Sequence, residues 1–144
     1  KWPGGKRWFV ARHAGLLPTA FGRYFEPFLG GGSVYFHLRP ARAILTDLNP
    51  ELVAVYRAVA WRRGRLEALL REHQANHGER HYYRVRDEVP DGLTARAART
   101  LYLNRTCFNG IYRVNRSGVF NVPKGGKTDV LLDADDFAAA ARLR

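Results

Sequence analysis

The stretch RYFEPFLGGGSVYFHLRPARAILTDLNPE, residues 23–51, limits the possible folds more than any other part of the chain. An apolar run, RYFEPF, rises into three consecutive glycines and reads as a short buried strand. GGSVYFHLR then reads as a helix opened by the loop, and ARAILTD, residues 41–47, as a second strand ending on Asp47. Two strands joined through a helix of this length pair in parallel, because a parallel pair needs a crossover rather than a tight turn. The pattern is therefore α/β, with a bare loop at the carboxyl end of a strand, where open α/β sheets bind ligands.

The type of loop can be narrowed. A dinucleotide fingerprint needs glycine at its first, third and sixth positions. Gly30 and Gly32 supply the first two, and Tyr35 occupies the third. A phosphate-binding P-loop also fails here, because no Gly-Lys-Ser/Thr follows. GGKT at residues 125–128 is a decoy: its pattern needs glycine where Asn121 stands. Asp47 can accept both hydroxyls of an adenosine ribose; alternatively the glycines form a plain turn and Asp47 caps a helix.

Further along, NPELVAVYRAVAWRRGRLEALLRE is helical, with Asn49 as N-cap, Pro50 at the first helical position and Gly64 bending or dividing it. LTARAARTLYLNRT is another helix. IYRVNRSGVFNVP alternates around Arg116-Ser117-Gly118 as a β-hairpin, DVLL reads as a strand, and DADDFAAAARLR as the start of a helix. The composition changes near residue 55, which points to an inserted or second domain.

Charge narrows the partner. The 144 residues carry a net charge of +11, suited to a polyanion such as nucleic acid. Residues 51–128 hold 15 Lys and Arg against 7 Asp and Glu, whereas residues 129–144 hold 2 against 4. Arginine outnumbers lysine 20 to 4. That excess serves forked phosphate or base contacts, or equally reflects a GC-rich genome. Cys107 is the single cysteine, so neither a disulfide framework nor a cysteine zinc site is available. No stretch approaches the roughly 18–20 apolar residues of a membrane span, and no signal peptide is evident, so a cytoplasmic protein is expected. His37, His73, His77 and His81 form no convincing metal or triad set.

Five segments, in order, closely resemble the Dam-type DNA adenine-N6 methyltransferases: KWPGGK (1–6), FEPFLGGGSVYF (25–36), TDLNPELV (46–53), YYRVRDE (82–88) and LYLNRTCFNGIYRVNRSGVFNVPKG (101–125). The resemblance implies a partial Rossmann-like methyltransferase sheet with an inserted, mainly helical target-recognition domain carrying the β-hairpin. Its parts would be residues 1–55 for the cofactor half, 56–128 for target recognition and 129–144 for a return to the catalytic domain. It also implies an S-adenosyl-L-methionine site made by Trp2, Lys6, Phe28, Gly30, Gly32 and Asp47. Double-stranded DNA would be the partner. Arg113 would read a base, Phe108 and Asn109 would enter the stack when adenine flips out, and Arg105, Arg116, Lys124 and Lys127 would meet phosphates. A cognate restriction enzyme is a further expected partner, with a bacterial or phage source.

The resemblance also exposes a gap. In the family an Asp-Pro-Pro-Tyr loop engages the adenine amino group, and none of the seven prolines here adjoins another. No catalytic residue is therefore assigned, and the chain, which also lacks methionine, is expected to be the amino-terminal half of a methyltransferase. A catalytically inactive DNA-binding remnant, or one half of a split enzyme, remains the alternative.

Overall fold

The computed structural model describes residues 2, 4–132 and 137–142. It is a mixed helix and strand structure. Helix α1 (Arg7–His13) and one 3-10 turn precede strand β1 (Tyr24–Glu26). The glycine loop leads into α2 (Ser33–Leu38), and strand β2 (Ala43–Leu45) follows. The strands pair in parallel, with Tyr24 opposite Ala43, Phe25 opposite Ile44 and Glu26 opposite Leu45. The strand–helix–strand reading of the sequence thus holds for this stretch, with both strands shorter than the apolar runs.

Four helices follow: α3 (Pro50–Trp61), α4 (Arg63–Ala75), α5 (Glu79–Asp87) and α6 (Leu93–Thr106). Helix α6 packs against the other three, and α7 (Phe137–Arg142) lies on α3 and α4. Ala58, Leu66, Leu70, Tyr82, Ala97, Ala98 and Tyr102 are fully buried where these helices meet. One cluster runs from Ala54 on α3 to Val130 near the end of the described chain. Buried Arg99 of α6 donates from Nε to the Val85 carbonyl (2.8 Å) and from Nη2 to that of Arg86 (2.5 Å). It thereby satisfies carbonyls at the end of α5, where a cation also meets the negative end of the helix dipole.

Several sequence expectations are corrected. The long helix after Asn49 divides at Arg62, whose φ of −136° leaves helical space, and Gly64 lies inside α4. DVLL is not a strand: Val130 is a buried plug whose N–H donates to Gln74 Oε1 (2.6 Å). The β-hairpin contracts to one antiparallel bridge, Val114 with Phe120. Asn115 is the cause, because its Oδ1 accepts from the Ser117 and Val119 amides (2.9 and 3.0 Å) and competes with a ladder. Helices α1 and α5 were not anticipated. The expected last helix is present as α7 over Phe137–Arg142, and the residues of DADD, 133–136, lie outside the described ones.

Candidate cofactor and DNA-contact site

Every turn of the loop after β1 is tied down. Leu29 N–H donates to the Thr46 carbonyl (3.0 Å) and Gly32 N–H to the Leu29 carbonyl (2.9 Å). Gly30 and Gly32 have φ of 53° and 64°, the left-handed region that side chains disfavour. Asp47, just past β2, accepts from Gly30 N–H at Oδ2 (2.8 Å) and from Asn49 N–H at Oδ1 (2.9 Å). A carboxylate has about four acceptor positions, so both oxygens keep capacity for a ligand hydroxyl.

The amino-terminal segment supplies a second wall. Gly5 N–H closes a turn on the Trp2 carbonyl (3.1 Å), which sets the indole over the loop. A Cβ added to Gly30 would lie 3.4 Å from Trp2 Cδ1. Lys6 Nζ reaches Glu26 Oε1 (2.8 Å) and the Phe28 carbonyl (3.1 Å), while Tyr24 donates to Glu26 Oε2 (2.7 Å). Glu26 is thus buried with an ion pair and a hydroxyl donor, and burial with this carboxylate beside it raises the Tyr24 phenol. Between the walls lies a cavity of about 250 Å³. Trp2, Lys6, Phe28, Gly30, Gly32 and Asp47, the six residues that the resemblance selected, all line it.

The DNA candidates are arranged less uniformly. Phe108 is half exposed, and Asn109 takes a left-handed turn (φ 54°) before Gly110. Arg113 is exposed, with Nε on Asn121 Oδ1 (2.9 Å) and Nη2 on the Asn121 carbonyl (3.2 Å), which fixes the guanidinium plane. Arg116 is exposed on the turn. Lys124 is half buried and donates to the Gly125 carbonyl (3.1 Å), and Lys127 is exposed. Arg105 points inward, to the Val130 carbonyl and over the Phe137 ring. The decoy GGKT is structural: Gly125 N–H donates to the Thr106 carbonyl (2.8 Å), and a Cβ there would lie 2.6 Å from the Cys107 carbonyl oxygen.

Sequence reasoning missed two aromatic residues at the cavity's margins. Tyr112 stacks on Trp2, with centroids 4.7 Å apart, and so brings the segment carrying Arg113 to the cavity. Tyr56 donates to the Gly30 carbonyl (2.9 Å). The histidines also meet. Arg84 Nη2 donates to His81 Nδ1 (3.0 Å), which assigns the proton to His81 Nε2 and its bond to His73 Nδ1 (3.0 Å). His73 stacks on Tyr102, and His77 Nδ1 bonds its hydroxyl (2.9 Å). Among the described residues no group of three His, Cys, Asp or Glu is set to hold a metal ion, and no helix is long and apolar enough to cross a membrane.

Comparison with known proteins identifies the family. Residues 2–138 match the family model described as D12 class N6 adenine-specific DNA methyltransferase. The Type II methyltransferase M1.LlaDCHI of Lactococcus lactis subsp. cremoris is 40% identical over 131 residues, covering 87% of this chain and 46% of that protein. The Type II methyltransferase M.CviBI of Paramecium bursaria Chlorella virus NC1A is 38% identical over 130 residues, covering 87% and 48%. The DNA adenine methylase of Serratia marcescens is 37% identical over 130 residues, covering 87% and 47%. The chain therefore spans about half the length of these curated relatives. With a family match over nearly all its residues, the chain belongs to the D12 class of N6 adenine-specific DNA methyltransferases.

Proposed function

We propose that this chain provides the cofactor-binding and target-recognition parts of a methyltransferase that transfers a methyl group from S-adenosyl-L-methionine to N6 of a flipped adenine in duplex DNA. The observation that carries the reading is the cavity lined together by Trp2, Lys6, the glycine loop and Asp47. The bare glycines admit close approach, Asp47 offers acceptor capacity to ribose hydroxyls, and Trp2 offers an apolar face. At about 250 Å³ the cavity is near the lower end of ligand pockets, roughly 300 Å³. When bound, the cofactor supplies an electrophilic methyl group. Lys6, anchored on Glu26 and the Phe28 carbonyl, keeps the amino-terminal segment closed over the loop.

On the DNA side, Asn121 orients Arg113, leaving its outer N–H groups for a base edge in the major groove. Phe108 offers an exposed ring to a disrupted stack, beside Asn109. Residues 1–55 form the start of a Rossmann-like domain, 56–128 the recognition domain and 129–144 the return. The site is cytoplasmic in this reading, and a cognate restriction enzyme is a partner of the parent system. The second reading is one half of a split enzyme or a DNA-binding remnant.

Calorimetric titration of the chain with S-adenosyl-L-homocysteine tests the cofactor reading. Saturable binding to wild type is expected, weakened about tenfold or more in Asp47→Asn by the loss of an acceptor. Absence of wild-type binding defeats it. Tritiated-methyl transfer to duplex DNA then separates the remaining readings: the chain alone should transfer none, and transfer restored by a second polypeptide bearing Asp-Pro-Pro-Tyr identifies a split enzyme.

A further inference from the structure

Tyr56 stands on α3, on the far side of the glycine loop from Trp2. It lines an adjoining apolar hollow of about 360 Å³ with Tyr35 and Phe36 of α2 and Leu45 of β2; Leu29 and Asp47 line both this hollow and the cavity holding Trp2 and Lys6, which Tyr56 does not line. Its ring stacks on Phe36 with centroids 6.3 Å apart. Its hydroxyl donates to the Gly30 carbonyl (2.9 Å), and a Cβ on Gly32 would lie 2.8 Å from the Tyr56 hydroxyl oxygen, pressing on the end of that side chain. Burial, with the charges of Glu26 and Asp47, raises the phenol, so the hydroxyl remains a donor.

Residue 30 is thus gripped from both ends, its N–H by Asp47 and its carbonyl by Tyr56. The grip matters because the peptide between Gly30 and Gly31 joins two glycines, and neither has a Cβ to resist its rotation. In a trans peptide the carbonyl and the following N–H point in opposite directions, and no cis bond occurs among the described residues. With the Gly30 carbonyl turned toward Tyr56, Gly31 N–H points the opposite way, and Gly31 lines the cavity of Trp2 and Lys6. We infer that Tyr56 is a positioning residue: by holding the Gly30 carbonyl it presents Gly31 N–H as a hydrogen-bond donor to an acceptor oxygen of the bound cofactor. The inference deepens the cofactor reading above and rests on it for the identity of the ligand. The grip itself depends on this chain alone.

The test uses the full 144-residue chain and Tyr56→Phe, which keeps the ring and its packing on Phe36. Amide hydrogen exchange is followed at Gly30–Gly32 without ligand, with the α6 amides as the measure of global stability. Gly30 and Gly32 are useful reporters because their amides are hydrogen-bonded to Asp47 and Leu29. The expected result is loop exchange about tenfold faster, with α6 unchanged, and a fall of about tenfold in affinity for S-adenosyl-L-homocysteine. Loop exchange equal to wild type, or acceleration as large in α6 as in the loop, overturns the inference. Equal affinity of Tyr56→Phe and wild type overturns the donor role of Gly31. Faster loop exchange in a protein whose wild type binds no S-adenosyl-L-homocysteine upholds the grip and defeats the cofactor reading instead.

Discussion

Single methyl groups decide two places in this molecule. At Gly32 a Cβ would lie 2.8 Å from the Tyr56 hydroxyl and 2.9 Å from Phe36 Cε2, both at the ends of side chains that can shift. At Gly125 it would lie 2.6 Å from the Cys107 carbonyl oxygen and 2.8 Å from its carbon, which are backbone atoms at a bridge between Cys107 and Lys124. Gly125→Ala is therefore expected to cost about 1–3 kcal/mol, read from urea unfolding, as overpacking against atoms that cannot retreat. Gly126→Ala, with open space around it, should stay within about 0.5 kcal/mol of wild type. Individual residues differed in how plainly the sequence announced them. Gly30, Gly32 and Asp47 were legible because a strand, a bare loop and an acid follow in fixed order. Tyr56 was not, because a tyrosine on an amphipathic helix reads as packing, and only the loop folding back reveals its hydroxyl as a donor.

Among the elements, α3 was the most readable. Asn49 Oδ1 accepts from the Glu51 and Leu52 amides (3.0 and 3.4 Å), and Pro50 sits where a missing N–H costs nothing. Replacing Asn49 by Ala should cost about 1 kcal/mol in chemical denaturation. Because the same residue's amide reaches Asp47, the change should also speed exchange in the glycine loop. Helix α5 was hidden by its composition: six of its nine residues are charged or histidine, and only Tyr82 and Val85 are buried. The hairpin and DVLL misled for the opposite reason: the hairpin's alternation and the apolar run of DVLL are real, but Asn115 and Gln74 side chains take up amides that a ladder would use.

The histidines joining α4, α5 and α6 make a pH prediction. Burial lowers His73, His77 and His81, and the cations of Arg84 and Lys124 add to it; His73 falls to about 4. The unfolded chain takes up protons below its ordinary value near 6.5, while the folded chain resists. Stability should therefore be full above pH 6.5 and decline as pH falls toward 4, followed by thermal unfolding, with a shallower decline in His73→Gln. An unaltered slope in that variant would assign the acid sensitivity elsewhere.

For the whole molecule, charge and exposure set the expected behaviour. If Arg105, Arg116, Lys124 and Lys127 all meet phosphates, affinity for duplex DNA should fall roughly 10²-fold between 50 and 200 mM salt, measured by fluorescence anisotropy. Arg105, engaged with Val130 and Phe137, is the least available, and its loss from the interface would make the dependence shallower. Phe25 and Ile44, paired across the sheet, are 60% and 55% exposed. Parallel sheets are ordinarily covered on both faces, so this chain should self-associate as its concentration rises, visible in sedimentation. The stack of Trp2 on Tyr112 has a consequence in time as well as space. A ribosome makes the second ring 110 residues after the first, roughly 5–20 s later at ordinary synthesis rates. Until then the indole has no stacking partner there, so the Trp2–Tyr112 stack forms only late in synthesis.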